Sequence, residues 1–151
     1  MMLARELAAP LPIATLIVMV VNDRYGKPHF HNFWTGKISD VAGLFLAPLL
    51  LTSIAGGLES LCCRICNGRW SDPSPTKIHM FLACLLVGLG YTAVNTLAVA
   101  DTLYEQYILS WMPKGYLPPR ELHVRDLEDL VALPALIAAY FWGSRFAKLP
   151  N

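Results

Sequence analysis

The sequence predicts an all-α fold, a bundle of four transmembrane helices, on three observations. The 151-residue chain is 55% hydrophobic and only 15% charged, whereas a soluble domain carries about 25% charged residues to keep its surface wetted. Four apolar segments recur along the chain, and the two central ones have almost no polar face. The polar side chains collect at the segment ends and in the connections. The alternative of a soluble helical bundle needs polar faces that the central segments lack.

The first helix is expected at roughly 7–21. It reaches the length of a span only by recruiting Arg5 and Glu6. A cleaved signal peptide is the competing reading, and Glu6, Pro10 and Pro12 argue against it. So does the absence of a small-x-small site in Val20-Val21-Asn22-Asp23. The second is expected at 41–58, where Val41 to Leu58 is 18 residues without charge. The third, at 78–100, holds 23 residues with no formal charge and His79 at its edge. At about 1.5 Å per residue it is long enough for a hydrocarbon core of roughly 30 Å. The fourth, at 127–146, has its apolar heart at Leu130–Gly143 and needs Glu128 and Asp129 to reach span length. Between the last two, Leu103, Tyr107 and Trp111 recur every four residues, flanked by Tyr104, Ile108 and Met112 and closed by Pro113. That pattern predicts a short interfacial helix near 101–112. Residues 1–151 read as one transmembrane domain.

Four crossings place the N-terminus, the Glu59–Lys77 loop and the C-terminus on one side, face A. The connections Asn22–Ser39 and Asp101–Arg125 share the other, face B. Lysine and arginine divide six against six between the two faces, so the positive-inside rule does not choose between them. Eight of the 11 acids fall on face B. Face A is assigned to the cytoplasm, which suits its cysteines. A net charge of +1 offers no basic field for nucleic acid.

An internal repeat is visible. Asp40 precedes Pro48 by eight residues, as Asp126 precedes Pro134. Leu44 and Leu130 share a position, as do Leu50 and Leu136, and Val21-Asn22 matches Val94-Asn95. Two parallel helical-hairpin repeats would produce this, as in some small transporters. Both prolines are expected inside a membrane helix, kinking it. In lipid, helices associate through close contact of small residues. Cys84, Gly88, Thr92 and Thr96 lie four apart on one face of the third segment. Ala135, Ala139 and Gly143 do the same on the fourth. These stripes are expected to pack on each other, with Gly88, Thr92, Ala135 and Ala139 at the contact.

The candidate functional site is the polar cluster at face B: Asn22, Lys37, Asp40, Asn95, Arg125, Asp126 and Asp129. An acid at a membrane boundary needs a partner, and Lys37 and Arg125 are the natural ones. Ser39, Asp40 and Asp126 also stand where helices are expected to start, and there a side-chain oxygen serves as an N-cap. His29, His31 and His123, with Asp40, are weak metal candidates, the ordinary reading being exposed loop histidines. Cys63 and Cys66 form a CxxC beside Cys62, with His79 thirteen residues on, another weak zinc set. Free or lipid-modified thiols are the simpler account. No catalytic residue, nucleotide fingerprint or phosphate loop is legible, and no cofactor is expected.

Thr35-Gly36-Lys37-Ile38-Ser39-Asp40-Val41-Ala42-Gly43-Leu44 and Asp126-Leu127-Glu128-Asp129-Leu130-Val131-Ala132-Leu133-Pro134 resemble motifs in small bacterial multi-pass membrane proteins without known activity. The resemblance covers about 20 of 151 residues and implies a bacterial inner membrane. The expected function is a non-enzymatic membrane component that binds a partner, either another membrane protein or a further copy of itself. A small oligomeric transporter or channel using the Asn and Asp residues is the alternative, and a membrane-embedded enzyme the second alternative.

Overall fold

The computed structural model describes residues 6–30, 33–69, 74–112 and 127–147. Among them every regular element is helical. Helix α1 spans Pro10–Val21. Its two prolines fall in the first turn, where a missing N–H removes no helical bond. The chain does not stop at Val21 as expected. It widens into a π-helical segment, Asn22–Gly26, and runs on as the short α2, Lys27–His29. The Lys27 N–H closes the wide turn on the Asn22 carbonyl. Gly26 leaves room there for the Asn22 amide, since a Cβ would sit 2.7 Å from Asn22 Oδ1 and would push that side chain aside.

Helix α3 spans Phe33–Asn67, 35 residues. At about 1.5 Å per residue that is about 52 Å, well beyond a hydrocarbon core of about 30 Å. The expected span, 41–58, is only its middle. The reading of Ser39 and Asp40 as caps is therefore overturned. The helix begins before them, because nothing between Trp34 and Asp40 breaks it, and they lie in its second turn. Pro48 is inside the helix and fully buried. Nearby, Thr52 Oγ1 donates back to the Pro48 carbonyl at 3.0 Å. The helix ends at Gly68, whose φ of 66° favours glycine as the terminating residue.

Helix α4 spans Lys77–Thr96 and α5 spans Ala98–Trp111. The third segment thus stops four residues short of Ala100, at an extended Leu97. Just before the break, Asn95 Nδ2 and Thr96 Oγ1 donate to the carbonyls of Tyr91 and Thr92, at 3.0 and 2.7 Å. Such back-bonding competes with the helical ladder. The last segment divides into a 3₁₀ turn, Leu127–Ala132, and α6, Pro134–Ser144. Pro134 accordingly opens a helix rather than kinking one. It is not structurally equivalent to Pro48, although the sequence aligns them.

Three helical stretches are long and apolar enough to cross a membrane: Trp34–Asn67, Lys77–Thr96 and Leu127–Ser144. The four-helix expectation is met only in that coarser form, since α1 itself has 12 residues. Helices α3, α4 and α6 pack pairwise, and α1 lies along α3. The core is Leu44, Phe45 and Leu49 from α3, Met80 and Cys84 from α4, Ala132 from the 3₁₀ turn, and Ala135 and Ala139 from α6. Gly143 marks the meeting point of three helices. A Cβ added there would lie 2.7 Å from Met80 Sδ and 3.1 Å from Leu49 Cδ2. Along α4, Met80 meets Gly143, Cys84 and Gly88 meet Leu136, and Tyr91 meets Asp129. Helices α4 and α6 therefore run antiparallel.

Candidate functional site

Two sets of polar side chains meet at the face-B end of the bundle. In the first, the π turn exposes Asn22 to α3. Its Nδ2 donates to the Thr35 carbonyl and, at 2.8 Å, to Ser39 Oγ. The Ser39 hydroxyl passes its own hydrogen to Asp23 Oδ1, and Lys27 Nζ lies 2.7 Å from the same oxygen. Asn22 is buried, so both amide hydrogens are spent inside the protein. Partial burial of Asp23 raises its pKa, but hydrogen bonds from Lys27 and Ser39 and the charge on Lys27 outweigh it and hold the carboxyl below 3.8.

In the second, Lys37 Nζ forms an ion pair with Asp129 Oδ1. It joins the start of α3 to the 3₁₀ turn, and the two side chains are 11% and 20% exposed. Tyr91 Oη donates to the Asp129 main-chain carbonyl at 3.2 Å. One turn on, Asn95 is 3% exposed. Its Nδ2 is committed to the Tyr91 carbonyl at 3.0 Å, which fixes the amide orientation, since only the NH₂ end can serve a carbonyl. Its Oδ1 has no hydrogen-bond partner among the described residues. An unsatisfied buried amide oxygen costs about 1–3 kcal/mol. Asn95, Tyr91, Asp129, Ser39, Asp40 and Tyr104 line one cleft of about 560 Å³ between α3, α4 and α5.

Of the cluster expected from sequence, Asn22, Lys37, Asp40, Asn95 and Asp129 thus occupy this end of the bundle. Arg125 and Asp126 lie outside the described residues, as do His31 and His123. His29 is exposed, with Nδ1 2.8 Å from the Tyr25 carbonyl. Cys62 and Cys66 are exposed and Cys63 half-buried, all as free thiols. The fourth member of the zinc set, His79, is engaged elsewhere. Its ring accepts from the Thr76 N–H while Thr76 Oγ1 accepts from the His79 N–H, a reciprocal cap on α4. Among the described residues no group of three His, Cys, Asp or Glu side chains converges as a metal site needs. In the packing stripes, Ala139 is fully buried and Ala135 nearly so. Gly88 faces Leu136, while Thr92 is half-buried and Thr96 exposed.

No family model, curated protein or solved structure matches this chain. Its chemistry is read from its own residues.

One polar site was not legible in the sequence. Glu6 is 4% exposed. Ser53 Oγ lies 2.9 Å from its Oε1, and Trp142 Nε1 donates to its main-chain carbonyl at 3.2 Å. This ties the segment before α1 to α3 and α6 at the other end of the bundle. Taken alone, Glu6 is a charge flanking an apolar run. The contacts that bury it come from residues 47 and 136 positions away.

Proposed function

We propose that this protein is a four-crossing, non-enzymatic component of a membrane, of the bacterial inner-membrane type with face A cytoplasmic. It acts by holding a partner protein at face B. The fourth crossing is α1. Asn22, at one end of α1, bonds to Thr35, and Glu6, ahead of the other end, bonds to Ser53. Those two α3 positions are 18 residues apart, about 27 Å along a helix axis. The stretch from Glu6 to Asn22 therefore runs antiparallel to α3 over nearly the thickness of a hydrocarbon core, about 30 Å.

The observation that carries the partner reading is the setting of α5. This helix turns away at Leu97 and packs on α4, leaving Leu103, Tyr107 and Trp111 at 61%, 59% and 76% exposure. Tyr107 and Trp111 are aromatic side chains, partly apolar and partly polar, of the kind enriched in protein interfaces. The interior supports the same reading, because Leu49, Met80 and Ala139 are at zero exposure and close the centre of a single copy.

A photo-crosslinking residue placed at Tyr107 or Trp111, in native membranes, is expected to give a discrete protein adduct. The same residue at Leu86, on the outer face of α4, should give none. An adduct of twice the mass identifies a second copy as the partner. Lipid adducts alone at all three positions would remove the reading and leave α5 as a membrane-boundary anchor.

The transporter or channel alternative draws support from the cleft beside Asn95. Several copies would be needed to form a path, and liposome flux that vanishes in Asp40→Asn would favour it.

A further inference from the structure

Helix α3 carries no charge between Asp40 and Glu59. These two are 19 residues apart, about 28 Å along the axis, close to a hydrocarbon thickness of about 30 Å. Glu59 thus stands at the face-A boundary of the crossing. The start of α4 lies beside it, and the two helices leave a cleft of about 350 Å³ there. The lining changes character with depth. Leu51, Ala55, Leu82 and Leu86 form its inner part, Glu59 and His79 its outer part. Leu82 and Leu86 are 52% and 63% exposed, so the apolar part opens sideways toward lipid. Glu59 is exposed and makes no hydrogen bond or ion pair among the described residues. In the His79 ring, Nδ1 accepts from the Thr76 N–H. The ring hydrogen of the neutral imidazole is therefore on Nε2, and no described residue takes it.

We propose that this cleft binds an aminophospholipid, with its primary ammonium on Glu59, its phosphodiester on the His79 ring and the upper part of one acyl chain in the apolar slot. A carboxylate at a membrane boundary requires a partner, and a primary ammonium gives it charge-assisted hydrogen bonds that a trimethylammonium cannot. Choline heads are recognised by aromatic cages, and among the described residues no Trp, Tyr or Phe lines the cleft. A head without an amine would bring its phosphate against Glu59. Among the described residues no Lys or Arg in the lining offsets that repulsion. The site rests on the reading of α3 and α4 as membrane crossings and is independent of a partner at face B.

The test offers the delipidated full chain an equal mixture of ethanolamine, choline and glycerol phospholipids with identical acyl chains. Native mass spectrometry counts the lipid retained. The ethanolamine lipid is expected to be retained about tenfold over each of the others, the effect of one charge-assisted hydrogen bond. Glu59→Gln should abolish the preference and Glu59→Asp should keep it. Ala55→Phe should abolish it too, by filling the slot, whereas Glu105→Gln, which alters an acid on α5, should change nothing. Melting gives a second readout. In choline-lipid nanodiscs, admixed ethanolamine lipid should raise the melting temperature of wild type and not of Glu59→Gln. Equal retention of the three lipids by wild type would overturn the proposal, as when residues 70–73 fill the cleft. So would a preference of full size in Glu59→Gln. A chain that enters no nanodisc and stays folded in water without detergent would remove the crossings themselves, and the site with them.

Discussion

Lys37 and Asp129 form an ion pair although 92 residues separate them in the chain. The pair fastens the first turns of α3 to the 3₁₀ turn that leads into α6. Both side chains are mostly buried, so each depends on the other to offset lost hydration. Removing one partner of a buried pair costs about 3–5 kcal/mol, and partial exposure lowers this to about 2–3 kcal/mol here. Asp129→Ala and Lys37→Ala should each melt correspondingly earlier in detergent. Lys37→Met combined with Asp129→Leu should recover most of the loss. A coupling energy below about 0.5 kcal/mol in the double-mutant cycle would show that the pair does not hold these elements together.

Much of this arrangement is visible in the sequence, and its failures have identifiable causes. The central helices follow from uninterrupted apolar runs, and α5 follows from the spacing of Leu103, Tyr107 and Trp111. Helix ends were less legible. Nothing local says that α3 begins near Phe33 rather than Val41, because polar residues such as Lys37, Ser39 and Asp40 tolerate a helix once it packs. Pro134 illustrates the same limit, since a proline is equally compatible with a kink and a helix start. Of the site, the residue types were legible at helix ends. The pairing of Lys37 with Asp129 and the sharing of Asn22 between Thr35 and Ser39 were not, for these depend on the π turn and on helix register.

Gly143 and Gly88 should respond differently to a methyl group. A Cβ at Gly143 runs into Met80 and Leu49, both fully buried. Gly143→Ala therefore overpacks the core and should cost about 1–3 kcal/mol. At Gly88 the obstructing atom is Leu136 Cδ1, at 2.8 Å, the far end of a side chain that can rotate. Alanine also favours a helix over glycine by about 1 kcal/mol. Gly88→Ala should thus be neutral or stabilising, whereas Gly88→Leu and Ala139→Leu should destabilise. Detergent melts of the four variants check the ranking, and equal effects of alanine at the two glycines would contradict it.

Glu6 is buried, with no cation in ion-pair range among the described residues. The single Ser53 hydroxyl hydrogen is also within reach of the Leu49 carbonyl, at 2.7 Å. A buried polar group with so few hydrogen-bond partners is costly. Glu6→Gln keeps an acceptor for Ser53 and adds two donors, so it should melt at or above the wild-type temperature. Glu6→Ala leaves a void and should fall below Glu6→Gln by about 1–3 kcal/mol. A glutamine variant less stable than wild type would mean that the negative charge itself is used.

The far end of α3 carries Cys62 and Cys66, both exposed, and Cys84 is buried in the core. The orientation proposed above, with face A cytoplasmic, predicts that an impermeant maleimide labels Cys62 and Cys66 in inverted membrane vesicles and leaves them unlabelled in intact cells. Cys84 should resist in both until detergent unfolds the protein. Labelling in intact cells would reverse the orientation, and labelling from both sides would break the single topology.

Asp23 supplies a pH dependence with a defined sign. Burial raises its pKa, but the bonds from Lys27 and Ser39 more than compensate, and the folded value lies below 3.8. A carboxyl depressed in the folded state contributes stability that is present above its unfolded pKa and lost as pH falls through the folded one. Wild type should therefore exceed Asp23→Asn in melting temperature at neutral pH. The gap should narrow on the acid side of 3.8 and close below the folded value, the other carboxylates cancelling in the comparison. Lys27→Met removes the largest stabilising partner, so its gap to Lys27→Met/Asp23→Asn should be smaller and should close at higher pH. A difference between wild type and Asp23→Asn that stays constant from neutral to strongly acidic pH would mean that the Asn22–Ser39–Asp23 chain is held by shape rather than by charge.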